Sequence, residues 1–255
     1  MFIPYICCGD PNLEFTYKLV RTLAPYSYVI ELGIPFSDPI ADGKTIQMAA
    51  NRALANGVTV EKIFGMVERL RADGTDKIEV PLVFMTYFNI IYAYGCGKFL
   101  KRMKDVGVQG LIIPDLPFGE DSEFESLAKS CGISIINLIA PNTTDERAEQ
   151  ILENSRTTHA PFTYLVSSAG TTGTKDGVSA ESIEFVKRIR TLAGNGNNNR
   201  LCVGFGISDA EQAKRFVEAG ADGVIVGSKI IEIYSRHGSE PENALKEIEK
   251  FAQGI

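Results

Sequence analysis

The sequence predicts an α/β fold, a single-domain (β/α)8 TIM barrel over residues 1–255, and three observations carry that expectation. Eight short apolar runs alternate strictly with amphipathic, helix-like runs, the pattern of a parallel sheet joined by crossover helices. The run at 80–87 is apolar almost throughout, as parallel strands covered on both faces must be. No stretch of shifted composition marks a linker, and a length of 255 residues suits one barrel. Residues 106–113 and 219–226 also echo each other, each setting one glycine at a helix end and another at a strand start, as a half-barrel repeat would.

Taken in order, strand one covers 2–7 and ends at Gly9-Asp10-Pro11, where an acid can cap the helix over 13–23 and proline can enter its first turn. Strand two rises through Tyr28-Val29-Ile30 to Glu31, and after a long loop two helical patterns follow, one from Lys44 and one over 59–70. Strand three at 80–87 leads to a helix near 99–106, strand four at 110–114 to a helix over 122–130, and strand five at 133–139 to a helix over 144–154. Strand six, 162–166, is followed by a polar, glycine-rich loop over 167–177 and a helix over 180–192. The asparagine-rich run at 194–199 precedes strand seven (201–205), so it falls on the face opposite the strand ends and reads as a tolerant connection. Ser208-Asp209-Ala210-Glu211 reads as a capping box for the next helix. Strand eight is 223–226, a helical run covers 230–234, and Ser239-Glu240-Pro241-Glu242 reads as the cap of the last helix.

Composition narrows the chemistry. A formal net charge of −6 and a pI near 5.1 argue against nucleic acid or an acidic membrane surface as the main partner. An anionic small molecule must then be gripped locally. Five cysteines without C-x-x-C spacing read as core thiols of a reducing compartment. His159 and His237 stand in polar surroundings and read as surface residues, so no histidine triad and no metal site is expected. No signal-peptide pattern and no apolar run approaching the ~20 residues of a membrane span is visible, so the expected location is the cytoplasm.

The segment Glu31-Leu32-Gly33-Ile34-Pro35-Phe36-Ser37-Asp38-Pro39-Ile40-Ala41-Asp42-Gly43 holds two acids at the mouth of one strand, a pairing that suits acid–base chemistry. Strand alternation puts Val29 and Glu31 on one face, so Glu31 either enters an interior or is a structural acid held by backbone donors. In a barrel, the loops after the strands share one face, which brings together Glu31, Asp42, Thr172, Gly173, Gly206, Gly227 and Ser228. Gly206 and Gly227-Ser228 follow strands seven and eight and open helices, the usual place for a phosphate, although each alone could be a tight turn. The loop after strand six is either a lid or a plain surface connection. Tyr5, Tyr87, Tyr164 and Phe205, near strand ends, either wall an aromatic ligand or pack the core.

The segment 31–43, with Thr45-Ile46-Gln47 after it, resembles the signature of the tryptophan synthase α subunit family. Gly9-Asp10-Pro11, Pro114-Asp115-Leu116-Pro117, Gly170-Thr171-Thr172-Gly173, Val203-Gly204-Phe205-Gly206-Ile207-Ser208 and Val226-Gly227-Ser228 match it in order across the chain. The resemblance implies a (β/α)8 barrel that cleaves indole-3-glycerol phosphate to indole and glyceraldehyde 3-phosphate, with Glu31 as general acid–base and Asp42 as the second catalytic acid. It implies phosphate binding by Gly173, Gly206, Gly227 and Ser228, a lid containing Thr172, and an indole pocket of Tyr5, Tyr87, Ile139, Tyr164 and Phe205. It further implies an α2β2 complex with a β subunit that carries pyridoxal phosphate, and no cofactor in this chain. Ile34-Pro35-Phe36, with Asp38 and Pro39, is then either a docking edge for that partner or a locally packed Ω-loop. Departures from the family pattern are Lys44, Ile90, Lys229 and Tyr5, together with a short segment before strand one; a looser acid loop, extra positive charge near the phosphate and a less closed barrel floor are the expected consequences.

Overall fold

Parallel strands arranged so that none has a free edge set the architecture. The computed structural model describes residues 1–72, 77–166, 178–194, 199–204, 206–238 and 240–255. Among these residues nine strands form one parallel sheet: β1 (Phe2–Cys7), β2 (Ile30–Gly33), β3 (Leu82–Met85), β4 (Gly110–Ile112), β5 (Ser134–Ile135), β6 (Leu138–Ile139), β7 (Thr163–Val166), β8 (Leu201–Gly204) and β9 (Gly223–Val226). Their order is β5-β4-β3-β2-β1-β9-β8-β7-β6.

The two ends of that order are halves of one run. The Ile136 amide donates to the Leu111 carbonyl at 2.9 Å, on the β4 side, while the Asn137 carbonyl accepts from the Tyr164 amide at 3.1 Å, on the β7 side. Residues 134–139 therefore hand the ladder from β4 to β7 and close an eight-position ring, as predicted, with strand five bent in its middle. At the other seam β1 pairs with both β2 and β9. Met1 completes the floor there: its ammonium donates to the Asp222 carbonyl and its carbonyl accepts from Val224, both at 2.9 Å.

Helices α1 (Leu13–Leu23), α2 (Lys44–Ala55), α3 (Val60–Arg71), α4 (Phe88–Tyr94), α5 (Cys96–Asp105), α6 (Ser122–Ser130), α7 (Asp145–Thr157), α8 (Ala180–Ala193), α9 (Ala210–Glu218), α10 (Ser228–His237) and α11 (Pro241–Gly254) cover the outside. Polar caps set most of their starts: Asn12, Thr59, Asp121, Thr144, Ser179 and Asp209 each accept a backbone N–H three residues on. The predicted box at 208–211 is shifted by one residue. Asp209 is the cap, and Gln212, three residues on, accepts from the Ser208 amide at 2.9 Å, the return that a box centred on Ser208 would have asked of Glu211. The last helix begins with Pro241 and has no side-chain cap at Glu240; Ser239 lies outside the described residues. Helix α4 is not anticipated by the sequence pattern, in which its strongly apolar Phe88-Asn89-Ile90-Ile91 start runs on undivided from strand three.

Candidate active site

Glu31 has the lowest exposure of any acid among the described residues. In β2 it pairs with Tyr5 of β1 and Val83 of β3, so these side chains share one face. That face is the barrel interior: a Cβ on Gly33, two residues on, would lie 2.2 Å from the Tyr5 hydroxyl, and the charge of Glu31 bears on Tyr164, which stands in β7 across the ring. The expectation that Glu31 enters the interior therefore holds, and the alternative of an acid secured by backbone donors does not. Its side chain is 0% exposed, and neither carboxyl oxygen has a hydrogen-bond partner among the described residues.

A carboxylate so placed is costly, because charge loses its hydration and nothing replaces it. Burial first, and the nearby charge of Asp42 second, push the Glu31 carboxyl from its ordinary 4.5 up to about 8. At neutral pH Glu31 is a carboxylic acid with a proton to give. A strongly perturbed acid at the C-terminal end of a barrel strand, turned to the interior, is the kind of group that reactive sites are built on.

Asp42 stands at the rim. The loop after β2 carries it to the N-terminus of α2, where Gln47 donates to its backbone carbonyl at 2.7 Å. Tyr87, the residue preceding α4, donates its hydroxyl to Asp42 Oδ2 at 3.0 Å and accepts the Ala41 amide at 3.0 Å. Burial raises the Asp42 pKa and the Tyr87 hydrogen bond lowers it, so the two acids are treated differently by their surroundings. Tyr87 is itself aimed by Asp115, whose Oδ1 accepts the Phe88 amide at 2.9 Å and so fixes the start of α4. The motif at 114–117 thus acts through α4, a role that sequence reasoning missed.

The tyrosines shape the interior through glycine gaps. A Cβ on Gly227 would fall 2.8 Å from Tyr5 Cδ1, and one on Gly204 would fall 2.5 Å from the Tyr164 hydroxyl. Gly227 is therefore demanded by the Tyr5 ring, independently of any anion. It is also the residue immediately before α10, with Ser228 as the first helical residue, so backbone donors of a ten-residue helix open toward the same rim. Gly206 differs from the expectation: it does not open a helix, since α9 starts at Ala210, but adopts φ +68° with open space where a Cβ would be. The register sets Leu138 beside Tyr164 and Ile139 beside Leu165, so by strand alternation it is half-buried Leu138, rather than Ile139, that shares the Tyr164 face. Thr172, Gly173 and Phe205 lie outside the described residues.

Of the expected docking edge, Ile34 and Pro35 are buried within the chain and Phe36 packs on Tyr87 with ring centroids 5.2 Å apart. Those apolar residues hold the acid loop to α4; only Asp38 of the named set is exposed. The apolar groups that do face solvent on this side are Ile40, Met48 and Tyr92, at 79, 60 and 71% exposure. Lys44 is the exposed first residue of α2 and Lys229 the second residue of α10. No helix among the described residues is long and apolar enough to cross a membrane.

Comparison with known proteins agrees with this layout. The family profile for the tryptophan synthase alpha chain matches residues 1–255. The tryptophan synthase alpha chain of Pyrococcus abyssi is 42% identical over 253 residues, covering 99% of this chain and 97% of the relative, and that of Methanococcus maripaludis (strain C5) is 41% identical over 255 residues, covering 100% and 93%. The crystal structure of the tryptophan synthase complex from Pyrococcus furiosus superposes with a TM-score of 0.86 at 37% identity over 100% of this chain and 98% of its counterpart, and a structure of the α2β2 complex from the same organism with 0.87 at 38%, over 99% and 96%. The chain belongs to the tryptophan synthase alpha chain family.

Proposed function

We propose that this chain cleaves indole-3-glycerol phosphate to indole and glyceraldehyde 3-phosphate, with Glu31 as the proton shuttle and Asp42 as the electrostatic partner of the indole ring. The observation that carries the assignment is the buried Glu31 carboxyl, without a hydrogen-bond partner among the described residues and with a pKa of about 8, facing the same interior as Tyr5 and Tyr164. An indole C3 carbanion is a poor leaving group. Glu31 gives its proton to C3, which turns the ring into an iminium-like electron sink, and Asp42 accepts the indole N–H and steadies the positive charge that develops there. The resulting Glu31 carboxylate removes the proton of the side-chain hydroxyl on the carbon bound to C3. That carbon becomes an aldehyde, the carbon–carbon bond breaks, and its electron pair returns to the ring. Glu31 ends protonated, as it began, so the proton count closes without another acid or base. No step calls on a resident cofactor; pyridoxal phosphate is expected only in a partner subunit.

The phosphate end of the substrate is assigned to the turns at Gly206 and Gly227-Ser228, where the α10 dipole and the amides of its first turn favour an anion. The ring end is assigned to the space between Tyr5, Tyr87 and Tyr164. The chain is further assigned a β subunit in an α2β2 complex, as in the Pyrococcus furiosus assembly, docking over Ile40, Met48 and Tyr92, which form an apolar set on the rim that carries the acids. The cytoplasm is the expected location. The test is an assay of indole release from indole-3-glycerol phosphate. Wild-type chain should release indole, Glu31→Gln should not, and both should still bind a phosphate-bearing indole analogue; near-normal turnover by Glu31→Gln would refute the role.

A further inference from the structure

A second buried acid lies beside the site and touches none of the reacting groups. Asp10, in the loop after β1, is 1% exposed, and its carboxylate is fully engaged. Arg52 donates Nε to Oδ1 at 2.8 Å and Nη2 to Oδ2 at 2.7 Å, and the Tyr234 hydroxyl donates to Oδ2 at 2.6 Å. Arg52 belongs to α2, the helix that begins right after Asp42; Tyr234 belongs to α10, the helix that begins right after Gly227. The Arg52 guanidinium also reaches Ser235 of α10 at 3.4 Å. The loop bearing Asp10 is itself clamped to the C-terminal end of α2 and to the turn between α2 and α3. The Asn56 amide group donates to the Pro11 carbonyl at 2.6 Å, and Gly9, at φ +90°, lies so close to Val58 that a Cβ there would meet it at 2.3 Å.

We infer that Asp10 is a positioning residue that sets the spacing between the Asp42 end of the site and the Gly227-Ser228 end by locking α2 to α10. This rests on the assignment of the indole ring to the first end and the phosphate to the second. A ligand that spans both ends binds with the two contacts at high effective concentration only when their separation matches its own length. A ligand that uses one end alone does not depend on that separation. Removing the lock therefore weakens two-ended ligands selectively, which a general loss of stability does not do.

The test is NMR titration of the full chain with three probes: an indole-alkyl phosphate, indole alone, and inorganic phosphate alone. In Asp10→Asn, affinity for the indole-alkyl phosphate should fall about tenfold while each fragment changes less than about twofold, and KM for the full substrate should rise more than kcat falls. In Tyr234→Phe, which keeps the Arg52 ion pair, the same ratio should fall about threefold; this milder variant carries the test should Asp10→Asn not fold. Equal losses for linked and fragment ligands, or an unchanged ratio in Tyr234→Phe, would overturn the proposal. Wild-type chain that binds the indole-alkyl phosphate no tighter than phosphate alone would instead overturn the two-ended site, and the positioning role with it.

Discussion

Glu31 and Asp10 are both acids at the ends of neighbouring strands, both closed off from solvent, and their surroundings treat them in opposite ways. Asp10 receives three donors, two of them from a guanidinium, so its charge is compensated where it lies. Glu31 receives none from the described residues, and burial keeps its proton on. The contrast separates an acid that holds a structure together from one held ready to react. An unpartnered buried carboxyl is costly, and a transition state is one place where the unspent interaction can be used.

The largest break in that contrast should come from Glu31→Gln, which keeps shape and removes the transferable proton. Indole release should fall by roughly 10³-fold or more, read in a direct assay. On stability the two acids should move in opposite directions. Asp10→Ala strands the Arg52 and Tyr234 donors and should cost about 2–3 kcal/mol in chemical denaturation, whereas Glu31→Gln should stabilise the fold increasingly as pH rises. The folded chain holds the Glu31 proton up to about 8 and the unfolded chain only to its ordinary 4.5, so the stability tied to that proton is complete below 4.5 and lost as pH climbs through 8. The advantage of Glu31→Gln should approach ~5 kcal/mol above pH 9.

Smaller effects sharpen the distinction between the interior acid and the rim acid. Tyr87→Phe removes the hydrogen bond that lowers the Asp42 pKa, so the acid limb of the pH–rate profile should move upward while the alkaline limb set by Glu31 stays in place; turnover at neutral pH should drop about tenfold. Gly206→Ala should be the mildest. Its Cβ has room, but φ +68° costs an L-residue roughly 1–2 kcal/mol, and KM for the phosphate-bearing substrate should rise a few-fold with kcat little changed.

Most of the barrel was legible in residue order because local signals agree with the final packing: β1, α1, α6 and β9 fall at their expected bounds, although the cap of α1 is Asn12 and not the expected Asp10, whose carboxylate is taken by Arg52, and Pro11 precedes the helix. The bend in strand five was not legible, since the run at 133–139 is apolar apart from Ser134 and Asn137 and hydrogen bonds to β4 and β7 decide where it divides. The pairing of Glu31 with an interior was half legible: alternation left two faces, and only the Tyr5 register and the Gly33 gap choose between them. Whether Ile34-Pro35-Phe36 forms a docking edge or a locally packed loop was not legible in one dimension, because the Tyr87 ring against which Phe36 packs lies far along the chain. Asp10 as a lock was invisible, because Arg52 and Tyr234 lie 42 and 224 residues away.

The central claim, that Glu31 is held as a neutral acid, is tested most directly by a 13C NMR titration of its side-chain carboxyl in the unliganded chain, assigned by the signal lost in Glu31→Gln. A midpoint about 8 is predicted; a midpoint near the ordinary 4.5 would contradict the account.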